Sequence, residues 1–297
     1  MTIARIVASI IVFLGVFINE AYAIDVDKGV VFVHGTRDHR VDAEGGYWKE
    51  DFLDQVRNQL PNPDNLYVVH CDFLQYMWHE DAAGCVAEQI QWFVKEKHLK
   101  QVSVYSHSDG ANVVRWILSN PTYDERFFEV ANYIDQVIAI APSSGGTPLA
   151  DEVMNGGILE AGLGWLLGYR SDSVKQQQVG DMAIFNEEVL LGTENRPSLI
   201  KPFYVIVGTD VTASPMNSAS YCNGYFLNSA LKVTKIYLDY CADGFLNCES
   251  QLAAGQLWFY DYQKTENATT LSHNQSRHNC FGLDKIVIPA LLTGVKS

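Results

Sequence analysis

The chain has 297 residues, of which 47% are hydrophobic and 19% are charged, and its formal net charge is −14. This length and composition fit a folded protein with one large core or two small ones, and no internal repeat is visible. The acidic charge makes nucleic acid and anionic membrane surfaces poor partners. The oligomeric state is left open.

The first 23 residues have the features of a secretory signal peptide. Arg5 precedes an apolar run over 6–18, and the segment ends in small residues at Ala23. The run is shorter than the roughly 20 apolar residues that a membrane span needs. We therefore expect a secreted protein, extracellular or periplasmic, whose mature chain over 24–297 forms one domain.

Strand and helix patterns alternate along the next part of the chain. Runs rich in β-branched residues predict buried strands, and apolar residues at helical spacing predict the segments between them. The strands are predicted at 30–33, 66–73, 101–106 and 133–142, and the helices at 47–60, 85–99 and 112–118. This order predicts an α/β fold with a mostly parallel central sheet and helices on both faces.

The alternation lapses between residues 143 and 200. Six apolar residues there are more hydrophobic than a surface loop requires: Ile158, Leu159, Leu163, Trp165, Leu166 and Leu167. The segment is either an inserted cap or lid over a site or a core helix interrupted by glycine, and both interpretations stay open. Beyond it, further strands are predicted at 201–210, 235–245 and 256–262, and a last helix at 281–292.

All six cysteines lie in the predicted mature chain, and their even number favours disulfides in an exported protein. Cys71 and Cys85 could form a local bridge, while the remaining pairing is open. Neither a CxxC pair nor an HExxH motif occurs, so no metal site is predicted.

The sequence SHSDG over 106–110 lies between a predicted strand and a predicted helix. Small residues two places before and after Ser108 are what a nucleophile elbow requires, because the chain turns sharply there. We therefore predict that Ser108 is a nucleophile. The alternative is a serine that only caps the following helix.

Four segments in this order carry a family resemblance: VVFVHGT, YSHSDGA, IAPSSGGTPLAD and CADGFLNCES. Together they resemble lipases and esterases of the α/β-hydrolase fold, especially secreted bacterial triacylglycerol lipases. The resemblance implies a Ser-His-Asp triad in the chain order serine, acid, histidine, and an oxyanion hole made by the backbone N–H groups of Thr36 and Asp109.

Two residues compete for each of the other triad positions. Asp243 is preferred to Asp210 as the acid because its whole segment matches the relatives. His278 is preferred to His273 as the base because it immediately precedes the predicted final helix.

The resemblance predicts an enzyme that hydrolyses carboxylic esters, with an ester or lipid substrate and a transient lipid interface. No cofactor is expected, and Cys280 stands where relatives often have a calcium-binding aspartate. The alternative is a catalytically inactive member of the same fold that binds a lipid or protein ligand. Asp109, a carboxylate beside the predicted oxyanion hole, is the unusual residue that permits it.

Overall fold

The computed structural model describes residues 25–156 and 169–296. The predicted signal peptide, 1–23, lies outside the described residues. So do the six apolar residues that suggested a cap.

The described strands are β1 (Lys28–Val33), β2 (Arg37–Asp38), β3 (Leu66–Val68), β4 (Asp72–Phe73), β5 (Gln101–His107), β6 (Ile134–Ile140), β7 (Phe203–Val207) and β8 (Gln256–Tyr260). Six of them form a parallel central sheet in the order β3-β1-β5-β6-β7-β8, and the other two, β2 and β4, pair in an antiparallel ribbon. The predicted parallel sheet is confirmed.

Helices cover both faces of this sheet. In chain order the described helices are α1 (Glu50–Arg57), α2 (Cys85–Glu96), α3 (Gly110–Ser119), α4 (Glu125–Tyr133), α5 (Pro148–Met154), α6 (Asp172–Gln176), α7 (Val179–Glu188), α8 (Tyr225–Thr234), α9 (Cys248–Leu252) and α10 (Leu283–Thr293). Residues of α2, α3 and α4 share one hydrophobic cluster with the sheet, and residues of α1 and α10 share the other.

The alternation of side chains along a strand explains the two clusters. In β1, Val31 and Val33 belong to the cluster with α2 to α4, whereas Val30 and Phe32 belong to the cluster with α1 and α10. Because successive side chains point to opposite faces, a strand covered on both sides must be apolar throughout. This requirement accounts for the continuous hydrophobic run at the start of the predicted mature chain.

A third hydrophobic cluster joins α5, α6 and α8 to the chain around Phe245. Leu149, Val174, Leu231 and Phe245 are all buried in it. The cluster lies apart from the two clusters that sandwich the sheet. It fixes these short helices next to the segment that contains Asp243.

The strand predicted over 235–245 is wrong. Residues Lys235–Tyr237 form a short 3-10 turn, and the side chains of Ile236 and Tyr240 are 75% and 98% exposed. A disulfide between Cys241 and Cys248 closes the following loop. The segment is β-branched and aromatic enough to suggest a strand, but it belongs to the long connection from β7 to β8 and pairs with no strand of the sheet.

Three disulfides join Cys71 to Cys85, Cys222 to Cys280 and Cys241 to Cys248. The local bridge predicted between Cys71 and Cys85 is therefore present. Among the described helices, none combines the length and apolar composition that a membrane span requires.

Candidate active site

Ser108 lies at the sharp corner between β5 and α3. Its backbone φ is 55°, in the left-handed region that non-glycine residues rarely adopt. A Cβ atom at Gly110 would lie only 1.9 Å from the carbonyl oxygen of His34, so α3 begins in direct contact with the chain after β1. This close approach is why the elbow needs a glycine two residues after the serine.

The structure brings Ser108, His273 and Asp243 together. His273 Nε2 lies 3.0 Å from Ser108 Oγ, and His273 Nδ1 lies 2.8 Å from Asp243 Oδ2. With a proton on Nδ1, the imidazole donates to the carboxylate and accepts from the serine hydroxyl. This arrangement is the one in which a histidine can remove the proton of a serine nucleophile.

Asp243 is wholly buried and its carboxylate is held on both oxygens. Oδ1 accepts hydrogen bonds from the backbone N–H groups of Phe245 and Leu246 at 2.9 and 2.7 Å, which leaves Oδ2 for His273. The backbone N–H of His273 also donates to the Asp243 carbonyl at 2.8 Å. The DGFL turn therefore fixes both the acid and the loop that carries the histidine.

Asp210, the alternative acid, lies elsewhere. Its side chain is 45% exposed and pairs with Lys232 and Lys235 of α8 and the turn that follows it. Both aspartates belong to the long connection after β7, which makes both candidates for the acid in the sequence. A hydrogen bond from Ala242 N to Thr209 O joins the residue before Asp243 to the residue before Asp210.

The preference for His278 over His273 does not match this geometry. His278 is buried, and neither of its ring nitrogens has a hydrogen-bond partner among the described residues. Burial lowers its pKa to about 2, so the ring is neutral. His273, the alternative, occupies the position between Ser108 and Asp243.

Two residues that the sequence analysis did not select, His107 and Tyr47, hold the backbone of His273 through a chain of hydrogen bonds. His107 Nε2 lies 3.0 Å from the carbonyl oxygen of His273, and the Tyr47 hydroxyl donates to His107 Nδ1. Burial lowers the pKa of His107 well below its usual value, so the ring is neutral and can donate from one nitrogen while it accepts at the other. The sequence places His107 beside the nucleophile but gives no signal for Tyr47, which is 60 positions away.

The backbone around the predicted oxyanion hole approaches the nucleophile closely. A Cβ atom at Gly35 would lie 2.9 Å from Ser108 Cβ, and Thr36, the next residue, lines the same pocket as Ser108. Asp109 follows Ser108 directly and precedes the first residue of α3. The N–H groups of Thr36 and Asp109 are therefore on the segments that border the serine hydroxyl.

The carboxylate of Asp109 is directed away from the pocket. It accepts hydrogen bonds from Ser173 Oγ at 2.7 Å and from Gln176 Nε2 at 3.0 Å, both on α6, and from Asn112 Nδ2 at 3.0 Å. Complete burial raises its pKa to about 6. The unusual aspartate therefore anchors α6 to the elbow and does not line the cavity that contains Ser108.

A pocket of about 130 Å³ opens above Ser108 and His273. One wall is apolar and is formed by Leu227, Leu231 and Phe245, whose ring stacks on His273 at 4.6 Å. The lining also contains Arg37 and Arg277. Within the part of the chain that the structure describes, no group of three or more His, Cys, Asp or Glu side chains could hold a metal ion.

Solved structures of bacterial lipases and esterases share this architecture. The mature Bacillus licheniformis lipase is 17% identical with a TM-score of 0.62, and the alignment covers 89% of this chain and 91% of that one. EstA from Clostridium botulinum is 12% identical with a TM-score of 0.58 and coverage of 91% and 88%. A metagenomic carboxyl esterase is 14% identical with a TM-score of 0.57 and coverage of 89% and 75%.

No protein-family model matches the sequence, and no curated protein matches it either. Identities of this size establish the fold alone. The chain has the α/β-hydrolase fold of bacterial lipases and esterases.

Proposed function

We propose that this chain is a secreted serine hydrolase that cleaves carboxylic esters through an acyl-enzyme. The observation that carries the proposal is the continuous contact from Ser108 Oγ through the His273 ring to the Asp243 carboxylate. In the reaction, Ser108 attacks the ester carbonyl while His273 accepts its proton and then donates it to the leaving alcohol. Asp243 orients His273 and stabilises its charged form.

The backbone N–H groups of Thr36 and Asp109 stabilise the negative charge that develops on the carbonyl oxygen. Preset donors of this kind are each worth about 3 kcal/mol in the transition state. Because the Asp109 carboxylate is engaged by Ser173 and Gln176, its charge is turned towards α6 and away from the developing oxyanion. The Asp109 carboxylate, which had suggested a catalytically inactive protein as the alternative, is therefore compatible with catalysis.

Lipid-like esters are the proposed substrate class. The apolar wall of Leu227, Leu231 and Phe245 suits an acyl chain, and the structural relatives are named as lipases and a carboxyl esterase. Val233 and Ile236, on and just after α8, are 59% and 75% exposed. Exposed apolar side chains at a helix that also supplies Leu227 and Leu231 to the pocket suit transient contact with a lipid surface.

The location and domain organisation belong to the same proposal. Three disulfides suit an oxidising compartment, in agreement with the signal pattern at the start of the sequence. We place one catalytic domain in 24–297, with a cap over 143–200. The hydrogen bonds between Asp109 and α6 support a cap that is attached to the elbow.

Ester hydrolysis by two matched aspartate variants tests the proposal. Asp243→Asn should lower kcat by about 10⁴ because His273 loses the carboxylate that orients it. Asp210→Asn should stay within a few-fold of the parent, since that side chain is in an ion pair outside the pocket. The readout is release of p-nitrophenol from esters of increasing acyl length.

The opposite order of the two variants would reassign the acid. A folded, oxidised wild-type protein with no activity on any ester would contradict the enzyme and favour the ligand-binding alternative.

A further inference from the structure

Arg277 lines the proposed active-site pocket. Its guanidinium lies 4.4 Å from the centre of the Tyr47 ring and donates a hydrogen bond to Asn274 Oδ1 at 3.0 Å. Among the described residues, no carboxylate forms an ion pair with it. The guanidinium fork therefore has donors left for a ligand that enters the pocket.

Several other arginines of this protein form ion pairs with carboxylates. Arg40 contacts Asp38, Arg57 contacts Glu44, and Arg126 contacts both Glu80 and Asp124. The pKa values of Arg40 and Arg126 are raised, chiefly by those hydrogen bonds, whereas the pKa of Arg277 is lowered, chiefly by burial. Arg115 also forms no ion pair among the described residues, but its guanidinium donates to Leu191 O and Asn186 Oδ1 and does not line the pocket. Arg277 differs because it lines the pocket that contains Ser108.

Arg37 brings a second cation to the same pocket. It directly follows Thr36, and its backbone φ of 101° is a strained value for a residue with a side chain. Two acidic residues that follow it closely in the sequence are already engaged, because Asp38 is paired with Arg40 and Asp42 is bonded to His39. No ion pair of Arg37 occurs in the described part of the chain.

The small size of the pocket places these charges close to the reaction. Its volume is about 130 Å³, and its lining contains Ser108, Arg37 and Arg277 together. A group bound by the arginines is therefore within a few atoms of an ester carbonyl at Ser108. Leu227 and Leu231 form the apolar wall for the remainder of the substrate.

We propose that the pocket selects esters that carry a phosphate or carboxylate group a few atoms from the scissile carbonyl, and that Arg277 and Arg37 bind this group. Guanidinium forks match the oxygens of both groups and bind them by charge-assisted, often paired hydrogen bonds. The inference rests on the proposed ester hydrolysis and names its substrate class.

A pair of chromogenic esters of equal acyl length tests the selection. Mono-p-nitrophenyl glutarate carries a terminal carboxylate, and p-nitrophenyl pentanoate is its neutral match. The wild type should prefer the anionic ester in kcat/KM by about tenfold or more, as expected for hydrogen bonds to a charged group. Arg277→Gln should lower this preference by a similar factor.

Matched variants separate binding from folding. Lys201→Gln also removes one positive charge. Lys201 lies just before β7, at the amino ends of the parallel strands, whereas Ser108 lies at their carboxyl ends, so this variant should leave the preference unchanged. Arg37→Gln alters a more exposed side chain and should lower the preference even if Arg277→Gln does not fold.

A second substrate pair identifies the anionic group. Dihexanoyl phosphatidic acid and dihexanoylglycerol, both below their micelle concentrations, differ by the phosphate. Preference for either anionic member supports the inference and names the group. Hydrolysis of the neutral esters without any anionic preference, or a preference that survives both arginine variants, overturns the inference and leaves the enzyme intact. Hydrolysis of no ester contradicts the proposed function and the inference with it.

Discussion

His273 and His278 are five residues apart, but their surroundings differ completely. His273 contacts a hydroxyl, a carboxylate and an aromatic ring, whereas His278 is buried and neither of its ring nitrogens bonds to any residue that the structure describes. The position next to the final helix favours His278 in the sequence. Two short 3-10 turns, Gln275–Arg277 and Cys280–Gly282, separate the His273 loop from α10. No local sequence pattern predicts these turns.

Asp109 is the residue whose titration should be visible in the stability of the fold. Burial raises its pKa from 3.8 to about 6. As the pH falls, the folded protein therefore binds a proton at Asp109 at a higher pH than the unfolded chain does. The charged form costs stability above pH 6, and this cost disappears as the pH falls through 6 towards 4.

The variant Asp109→Asn removes this titration while it retains the size of the side chain. Between pH 8 and pH 4, the free energy of unfolding of the wild type should rise relative to that of the variant by up to about 3 kcal/mol. Urea unfolding across this range measures the difference, and buried histidines such as His34 contribute equally to both proteins. Parallel curves would show that Asp109 has an ordinary pKa.

At the scale of elements, the corner between β5 and α3 determines where the nucleophile lies. The helix can begin at Gly110, two residues after Ser108, only because this glycine has no side chain to collide with the carbonyl of His34. The connection from β7 to β8 then carries α8, the Asp243 turn and α9, so one long segment supplies both the acid and the apolar wall of the pocket.

A pair of glycine variants tests this contact. Gly110→Ala would place Cβ 1.9 Å from His34 O and should destabilise the protein by about 3 kcal/mol or more, because backbone on both sides must move. Gly180→Ala is the control in α7, where nothing lies within 4 Å of the added carbon, and it should be neutral or stabilising by up to about 1 kcal/mol. Thermal unfolding of the two variants measures the contrast, and equal effects would contradict the tight elbow.

At the scale of the whole molecule, the parallel sheet gathers the functional segments at one edge. Ser108 follows β5, Thr36 follows β1, and the segment with Asp243 follows β7, each at the carboxyl end of its strand. The disulfide between Cys222 and Cys280 ties the segment before α8 to the segment before α10 across 58 positions. It flanks the loop that contains His273 and restrains it between two elements.

The sequence predicts the fold and the elbow well because both depend on local patterns. The apolar run over 30–33 predicts a buried strand, and the small residues around Ser108 predict a sharp turn, without any information from distant residues. The base, the contact of Tyr47 with His107 and the position of Arg277 in the pocket depend on segments that meet only in three dimensions. The false strand over 235–245 has the same origin, since a disulfide-closed loop replaced sheet pairing there.

The most direct test of the central claim is the labelling of Ser108 by a fluorophosphonate probe, followed by peptide mapping. Such probes react with serines that a neighbouring base activates. We expect labelling of the wild type at Ser108, a loss of labelling rate of about 10³-fold or more in His273→Ala, and a rate near that of the wild type in His278→Ala. Absence of labelling in folded, oxidised protein, or loss of labelling in His278→Ala but not in His273→Ala, would contradict the central claim.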